Sequence, residues 1–262
     1  MVTATELGRG KLFHTRQGQA MNWKNKQDIV PSLPGPPGLY VIASPIGNLK
    51  DITLRALEVL GAVDLIACED TRTTQKLLSH YGIKRPCISY YEHNEQVRAA
   101  EIANKIADGM RIALITDAGT PTISDPGFRV VRECRRKNFL IIPIPGPCAI
   151  STAMCASGLP SNAFLFLGFL PSKSTGRKKA LAAYVNFPHT LVLYESRHRI
   201  EKLLDEIVQI FGDTRYIALC QELTKLHEKF SVGRSFEVGK SIEAASQRGE
   251  FVLLIAPKDY TL

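Results

Sequence analysis

The stretch that decides the fold is Ile112-Ala113-Leu114-Ile115-Thr116-Asp117-Ala118-Gly119-Thr120-Pro121-Thr122-Ile123-Ser124-Asp125-Pro126-Gly127. Its first four residues are apolar, which is typical of a buried strand, and a helical pattern follows the last glycine. The loop between them is dense in Gly, Pro, Asp and Thr, residues that let the backbone turn tightly and approach a ligand closely. We therefore expect the active site at this loop.

The composition is that of an ordinary globular protein of one or two domains. The chain has 262 residues, of which 45% are apolar and 22% are charged. No apolar run approaches the roughly 20 residues that a membrane span requires, so we expect no membrane partner. The net charge of +8 favours an anionic partner, and nucleic acid is the most common one.

The six cysteines form no Cys-x-x-Cys pair and stand mostly within apolar stretches, as buried free thiols do. The sequence therefore predicts neither a disulfide framework nor a zinc site, and we expect no metal. A reducing, cytoplasmic location matches this pattern best.

Three segments of the chain differ in composition. Residues 1–37 hold five basic and two acidic residues and end in a proline-rich run, so we expect a basic, flexible extension. An organellar transit peptide is an alternative interpretation of this extension. Residues 38–158 and 159–262 both combine strand-like runs with helical patterns, so we expect two domains.

Strands and helices alternate along residues 38–158, which predicts an α/β fold with a parallel sheet covered on both faces. The expected strands of this half are residues 39–43, 63–68, 88–90, 112–115 and 140–144. Asp125 and Pro126 suit the cap and the first position of the helix after the fourth strand. In the second half we expect strands at 164–169, 190–194, 216–220 and 251–256 and a helix at 200–211.

Polar loops follow all five expected strands of the first half, at residues 43–48, 69–72, 92–95, 116–127 and 145–147. Parallel strands end at one edge of the sheet, where open α/β sheets bind ligands, so these loops should form one crevice. No Gly-x-Gly-x-x-Gly follows a strand and no phosphate-binding loop is complete, which disfavours dehydrogenases and nucleoside triphosphatases. The crevice suits a ligand held by backbone groups, such as an adenosyl group with an amino-acid tail.

Taken in order, the loop motifs resemble one known family. They are Ser44-Pro45-Ile46-Gly47-Asn48-Leu49, Glu69-Asp70-Thr71-Arg72, His93-Asn94-Glu95, residues 117–127, Pro145-Gly146-Pro147, Ser157-Gly158-Leu159-Pro160, Gly168-Phe169-Leu170-Pro171 and Tyr194-Glu195-Ser196. The family is that of the bacterial small-subunit ribosomal RNA (cytidine-2′-O)-methyltransferases, in the tetrapyrrole methylase, or class III S-adenosylmethionine-dependent, superfamily. The resemblance extends over residues 38–257.

This resemblance implies two α/β/α domains, the second with a mixed sheet, and a cleft between them that holds S-adenosyl-L-methionine. It also implies a homodimer that methylates the ribose 2′-hydroxyl of a cytidine in the decoding region of 16S rRNA in the 30S subunit. The residues that would bind the methyl donor are Ser44, Pro45, Ile46, Gly47, Asp117, Gly119, Thr120, Pro121, Ile123, Ser124, Ser151, Tyr194, Glu195, Glu250 and Phe251.

Two features depart from the family pattern. Arg197 stands where the family usually has a proline, between Glu195-Ser196 and His198-Arg199, so this loop is expected to differ in shape. Many members also carry a small basic helical region after the second domain, and the printed sequence ends at Leu262 without it. Either the RNA contacts of that region are expected elsewhere on the chain, or the affinity for RNA is expected to be weaker.

A ribose hydroxyl is a poor nucleophile at neutral pH, so methyl transfer to it benefits from a base. The candidate bases at the strand-end edge are Glu69, Asp70, Glu92, His93, Glu95 and Asp117, and we take Glu69, Asp70 and His93 as the candidate catalytic residues. A plainer alternative exists for each: Arg72 would pair with one of the two carboxylates and order the loop, and His93 would only neighbour a helix cap.

RNA binding should come from basic side chains near the crevice. The candidates are Arg72, Lys173, Arg177, Lys178, Lys179, Arg197 and Arg199. The four basic residues between 173 and 179 stand among Ser and Gly, and we expect them to form a mobile basic loop, with an ordinary solvated loop as the alternative.

Three functions remain open from the sequence: the rRNA ribose methyltransferase, a related methylase acting on a tetrapyrrole or corrin precursor, and a non-catalytic RNA-binding module on the same fold. The basic charge favours RNA over a tetrapyrrole. The intact donor loops favour an enzyme.

Overall fold

The computed structural model of the chain describes residues 35–243 and 249–262, which form two five-stranded sheets. The strands are β1 (Gly38–Ile42), β2 (Leu65–Cys68), β3 (Cys87–Ser89), β4 (Arg111–Ile115), β5 (Ile141–Ile144), β6 (Phe164–Phe169), β7 (Thr190–Ser196), β8 (Tyr216–Gln221), β9 (Lys229–Arg234) and β10 (Glu250–Ile255). The helices are α1 (Leu54–Ala62), α2 (Thr71–His80), α3 (Glu95–Ala107), α4 (Phe128–Arg136), α5 (Ala149–Ala156), α6 (Ser174–Ala182), α7 (Ile200–Phe211) and α8 (Ser235–Glu243). None of these helices is long and apolar enough to cross a membrane. The expected basic extension lies outside the described residues, apart from residues 35–37.

The first five strands form a parallel sheet in the order β3-β2-β4-β1-β5. Residues Leu57, Leu60 and Leu77 of α1 and α2 pack on one face. Residues Ile102 and Val130 of α3 and α4 pack on the other. Because both faces are covered, the central strands are apolar at nearly every position, which confirms the predicted parallel α/β arrangement.

The winding of the chain reverses between β1 and β4, which are neighbours in the sheet. The helix after β1 covers one face and the helix after β4 covers the other, so the two loops diverge and leave a crevice. Ser44 and Gly119 bridge the base of this crevice: each backbone N–H donates to the other residue's carbonyl, at 2.8 and 3.1 Å. Such a switch point is the usual ligand site of an open α/β sheet.

The remaining strands form a mixed sheet in the order β6-β7-β10-β8-β9, in which β6 and β7 are parallel and the other pairs antiparallel. Helices α6, α7 and α8 cover one face, where Leu203 and Ile207 of α7 are fully buried. α7 spans the residues predicted for it and ends before Gly212, as its apolar period indicates.

The opposite face of the second sheet packs against the first half of the chain. Ile150, Ala153 and Met154 of α5, together with Ile46 after β1, form one apolar cluster with residues of β7, β8 and β10. Burial of apolar surface contributes roughly 25 cal/mol per Å², so this cluster stabilises the two sheets against each other. The domain boundary predicted between residues 158 and 159 stays a prediction.

The helix after the deciding loop begins later than the sequence indicates. Gly127 is the N-cap of α4, so the prediction that Asp125 caps it is wrong. Glu95 of α3 caps this helix instead, because its Oε1 accepts hydrogen bonds from the Gly127 and Arg129 N–H groups at 2.9 and 3.2 Å. The Tyr90 hydroxyl donates to the same oxygen and fixes the carboxylate. A cap from another helix leaves no local sequence signal.

Candidate functional site

The loop between β4 and α4 has a strained backbone. Gly119, Thr122, Ser124 and Gly127 have φ angles of 84°, 77°, 60° and 137°. A left-handed conformation costs a non-glycine residue roughly 1–2 kcal/mol, and strain of this kind clusters at ligand-binding loops. The Ser44–Gly119 bridge holds one end of the loop and the Glu95 cap holds the other.

A cavity of about 260 Å³ lies between this loop and the second sheet, and we call it the central cavity. The first half of the chain lines it with the loops after β1, β4 and β5, and the second half with β6, β7, β10 and the loop after β8. The halves approach closely, since a Cβ on Gly168 would lie 3.0 Å from Ser124 Oγ. The volume is close to the lower end of the roughly 300–1,000 Å³ of ligand pockets.

Most residues that we predicted to bind the methyl donor line the central cavity. They are Ile46, Gly119, Thr120, Ile123 and Ser124 from the first half and Tyr194, Glu195, Glu250 and Phe251 from the second. The other predicted residues are not among its lining: Ser44, Pro45 and Asp117 line a neighbouring cavity, and Gly47, Pro121 and Ser151 line neither. The loops are thus brought together as predicted, while the individual donor contacts stay predictions.

Sequence reasoning missed nine residues of the cavity wall, among them Asp125, Phe169 and Lys225. Phe169 stands in one of the loop motifs and could have been found there. Lys225 has no comparable signal: it lies in the loop after β8 and pairs with Glu222 and Glu250 at 2.9 and 3.1 Å.

Gly47 explains how the loop after β8 reaches the cavity. A Cβ on this glycine would lie 2.5 Å from Lys225 Cγ and 2.9 Å from Thr224 Oγ1. The missing side chain therefore lets the loop after β8 pack directly on the loop after β1.

Three carboxylates crowd the carboxyl ends of β2 and β4: Glu69, Asp117 and Asp125. Burial, reinforced by the neighbouring negative charges, raises the pKa of each, and the pKa of Asp125 reaches about 6. The Thr116 hydroxyl donates to Asp125 Oδ2 at 3.1 Å and holds this carboxyl group in place. At pH 7.5 Asp125 is still ionised, so it places a negative charge on the wall of the central cavity.

Hydrogen bonds link the loops after β2 and β4. The Asp117 N–H donates to Glu69 Oε2 at 3.4 Å, and the Asp70 N–H donates to Asp117 Oδ1 at 3.1 Å. Asp70 itself caps α2 and accepts two hydrogen bonds from the Arg72 guanidinium, which lowers its pKa to about 2. A carboxylate so weakly basic is a poor proton acceptor, so the plainer alternative, loop ordering, describes Asp70 better.

His93 lies in the turn before α3 and lines neither cavity. Its ring meets the Tyr91 ring edge-on, with 6.2 Å between centroids. Glu69 also lines neither cavity, so the predicted catalytic roles of both residues stay predictions.

The segment that we predicted to be a mobile basic loop is helix α6, and one of its basic residues is buried. Arg177 is 2% exposed. Its guanidinium donates to both carboxylate oxygens of Glu206 on α7, at 2.6 and 2.8 Å, and to the Ser172 carbonyl. The prediction that Arg177 contacts RNA is wrong, because these donors are used inside the protein.

Arg199 also has a structural role. Its Nη2 donates to the carbonyls of Leu170 and Pro171 and lies 3.1 Å from Glu195 Oε2, so it ties the start of α7 to the loop after β6. The remaining RNA candidates stay predictions: Arg72, Lys173, Lys179 and Arg197 are exposed, and Lys178 is half-buried and donates to Gln209.

Known proteins share this fold. The model of the family described as Tetrapyrrole (Corrin/Porphyrin) Methylases matches residues 38–239. The chain belongs to the tetrapyrrole methylase family. The match begins at β1 and reaches into α8, so the switch point and most of the second sheet lie within the part that tetrapyrrole methylases share.

Solved structures with this tetrapyrrole methylase fold include a diphthine synthase, with a TM-score of 0.65 at 13% identity over 85% of this chain and 91% of the other. The uroporphyrin-III C-methyltransferase of Thermus thermophilus, complexed with S-adenosylhomocysteine, has a TM-score of 0.58 at 16% identity over 84% and 97%. At such low identity these two structures support the fold alone.

Other relatives are much more similar in sequence. The ribosomal RNA small subunit methyltransferase I of Escherichia coli O157:H7 is 49% identical over 220 residues, which cover 83% of this chain and 77% of the relative. The protein of the same name from Haemophilus influenzae is 47% identical over 222 residues, 84% and 78% of the two chains. Within the tetrapyrrole methylase family, the chain therefore groups with proteins named for rRNA methylation.

Proposed function

We propose that the central cavity binds S-adenosyl-L-methionine and that the protein methylates the ribose 2′-hydroxyl of a cytidine in the decoding region of 16S rRNA. The position of the cavity carries this proposal: it lies at the switch point of the parallel sheet, against a strained loop, in a chain of the tetrapyrrole methylase family. When bound, the donor supplies a methyl group on a positively charged sulfur.

The lining of the cavity fits this donor. Asp125 places a carboxyl group on the wall, which complements a cation, while Glu250 pairs with Lys225 of the same wall. Oε2 of Glu195 is buried without a hydrogen bond among the described residues, since Arg199 Nη2 lies 3.1 Å away but outside hydrogen-bond geometry. The Glu195 side chain is 0% exposed, so this carboxylate does not face the cavity and its charge is balanced by Arg199.

The protein must also hold the acceptor hydroxyl in line with the methyl carbon and receive its proton. Glu69 is our candidate for the proton acceptor, because burial raises its pKa and the Asp117 N–H fixes its carboxyl group. The Glu69 carboxylate would take the proton of the ribose hydroxyl while the oxygen displaces the donor's sulfur from the methyl carbon, and S-adenosylhomocysteine would leave with a neutral sulfur.

RNA is favoured over a tetrapyrrole by the sequence relatives. Proteins named ribosomal RNA small subunit methyltransferase I match at 42–49% identity, whereas the solved tetrapyrrole-type methyltransferases match at 15–18%. The net charge of +8 is also suited to a polyanionic acceptor.

The same inference extends to assembly and location. We infer a homodimer, as the family resemblance implies, and the exposed apolar side chains Val97 on α3 and Phe128 on α4 offer surface for it. A protein that acts on the small ribosomal subunit would work in the cytoplasm, together with its rRNA.

Asp125 provides a test of how the cavity recognises the donor. We expect Asp125→Asn to weaken binding of S-adenosylmethionine about tenfold and binding of S-adenosylhomocysteine, whose sulfur is neutral, less than about threefold. Since the pKa of Asp125 is about 6, the wild-type preference for the charged donor should hold at pH 7.5 and be lost as the pH falls through about 6. Titration calorimetry measures both affinities.

Asp108→Asn is the matched control, because Asp108 lies at the C-cap of α3 and is not among the lining of either cavity. An equal loss of affinity for both ligands in Asp125→Asn would contradict the role that we give to this charge.

The function itself is tested by offering labelled S-adenosylmethionine together with one of three acceptors. These are 30S subunits from a strain that lacks the modification, protein-free 16S rRNA and a uroporphyrinogen. We expect label on the RNA of the 30S subunits and none on the tetrapyrrole. Label on the tetrapyrrole alone would overturn the proposal.

A further inference from the structure

The rim of the central cavity carries an exposed aromatic ring. Phe169, the last residue of β6, lines the cavity and is 57% exposed. Its ring meets the Tyr194 ring of β7 edge-on, with 5.6 Å between centroids, and this contact orients the ring. Apolar surface left in water favours burial, so the open part of the ring offers a binding surface to a planar ligand.

A bulge in β6 places Phe169 on the cavity face of the sheet. Side chains alternate between the two faces of a strand, so Phe166 and Phe169, three residues apart, would normally lie on opposite faces. The register with β7 shifts between Phe166 and Gly168. As a result Phe166 and Phe169 both contact the Tyr194 ring, with centroid distances of 4.8 and 5.6 Å. Bulges often redirect a side chain in this way next to an active site.

The exposed ring and the proposed donor site share one cavity. Gly168, next to Phe169, packs on the loop after β4, because a Cβ there would lie 3.0 Å from Ser124 Oγ. Ile123, next to Ser124, also lines the central cavity and is 37% exposed. Phe169 and Ile123 therefore lie near each other on the rim, and no loop separates them from the donor. A group bound at this rim has direct access to the methyl group.

Two exposed cations lie on the loops that leave the sheet beside this ring. β6 and β7 are parallel neighbours, so the loops after them start side by side. Lys173 follows Phe169 by four residues and Arg197 comes directly after β7, and both are exposed. Arg199 donates to two carbonyls of the loop after β6 and so holds the two loops together.

In the described part of the chain, neither cation is paired with a carboxylate. The Lys173 ammonium has no ion-pair or hydrogen-bond partner there. The Arg197 guanidinium donates from Nε to the adjacent His198 at 3.1 Å, and its two terminal nitrogens have no partner among these residues. Four residues span at most about 14 Å, so the long Lys173 side chain can reach a phosphate next to a nucleotide on Phe169.

We propose that the base of the acceptor nucleotide stacks on Phe169 and that Lys173 and Arg197 bind the phosphates that flank it. Proteins usually bind single-stranded RNA in this way, with unstacked bases on aromatic side chains and basic side chains along the backbone. The ribose of that nucleotide then lies at the mouth of the cavity that holds the donor. The exposed position favours the acceptor over the adenine of the donor, because RNA approaches from solvent. This inference rests on the proposed function, which supplies RNA as the substrate, and it names the residues that position this RNA.

Phe169→Ala in the full-length protein tests the stacking. It should raise the KM for 30S subunits by at least about tenfold, because each stacked base contributes strongly to the affinity for a single strand. The affinity for S-adenosylhomocysteine should stay within about twofold of wild type, which also shows that the variant folds. Phe169→Trp keeps an aromatic face, so its KM should stay within about threefold of wild type.

Phe164→Ala is the matched control for the loss of an exposed ring. Phe164 is 46% exposed, lies at the other end of β6 and is not among the lining of the central cavity. This variant should keep wild-type kinetics with 30S subunits.

The double substitution of Lys173→Ala and Arg197→Ala tests the phosphate contacts. Each contact to a single strand contributes about 0.7 to the slope of log Kd against log salt, so the slope for 30S subunits should become shallower by about 1.4. Lys84→Ala combined with Lys258→Ala removes the same net charge and should keep the wild-type slope. These two exposed lysines lie before β3 and after β10, at the opposite edges of the two sheets.

The failures of this inference differ from those of the proposed function. An unchanged KM in Phe169→Ala, or an equal loss of affinity for S-adenosylhomocysteine, would overturn the stacking and leave the proposed function standing. An unchanged slope in the double variant, or an equal change in its control, would overturn the phosphate contacts. A wild-type protein that methylates no RNA would overturn the proposed function and this inference together.

Discussion

Replacing Gly119 by valine should abolish donor binding, with a loss of affinity for S-adenosylhomocysteine of at least a hundredfold in titration calorimetry. Gly119 has φ of 84°, where a β-branched residue is strongly disfavoured. It lines the central cavity and pairs with Ser44, and a Cβ there would already lie 3.4 Å from Ile46 Cγ2. The valine methyl groups would therefore displace Ile46 or project into the space for the donor.

Gly109→Val is the matched control for the strain alone. Gly109 has φ of 91°, follows α3 at the opposite edge of the first sheet, and has no atom within 4 Å of its Cβ position. This variant should lose stability and keep donor affinity. If Gly119→Val binds the donor as the wild type does, the placement of the donor in the central cavity is wrong.

Removing Arg177 should destabilise the fold, with a loss of about 3–5 kcal/mol in the free energy of unfolding. The side chains of Arg177 and Glu206 are 3% and 6% exposed, so Arg177→Ala leaves a buried carboxylate without its main partner. For a chain of this size the melting temperature should fall by roughly 10 °C. Differential scanning calorimetry measures this change.

A double substitution separates packing from charge. Arg177→Met combined with Glu206→Leu should recover much of the lost stability, because well-packed apolar residues often replace a buried ion pair without cost. Lys178→Ala, one residue further along the half-exposed side of α6, should change the melting temperature little. An unchanged melting temperature in Arg177→Ala, with weaker RNA binding, would restore the RNA-binding role that the structure removes.

The parallel sheet, and the edge of it at which the polar loops meet, could be predicted because their signals are local in the sequence. The apolar run Ile112–Ile115 and the glycine- and proline-rich loop after it are contiguous in sequence, and the ends of parallel strands must meet at one edge. The period of residues 200–211 likewise predicts α7, because one face of a helix repeats every three to four residues.

The rest of the site depends on contacts between residues that are far apart in sequence. The sequence predicts that Asp125 caps α4, but the carboxylate of Glu95, some thirty residues earlier in the chain, caps this helix. The sequence likewise predicts that Arg177 is an exposed cation, but its guanidinium donates a hydrogen bond to Glu206 on another helix. Local residue types cannot distinguish a buried charge from an exposed one, because the partner is supplied by the tertiary fold.

The measurement that tests the account most directly is mass mapping of 16S rRNA after reaction. Unmodified 30S subunits are incubated with the wild-type protein and S-adenosylmethionine, and the RNA is digested to nucleosides and to mapped fragments. We expect one added methyl group, on the ribose of a cytidine in the decoding region. A methyl group on a base, or 16S rRNA that gains none, would contradict it.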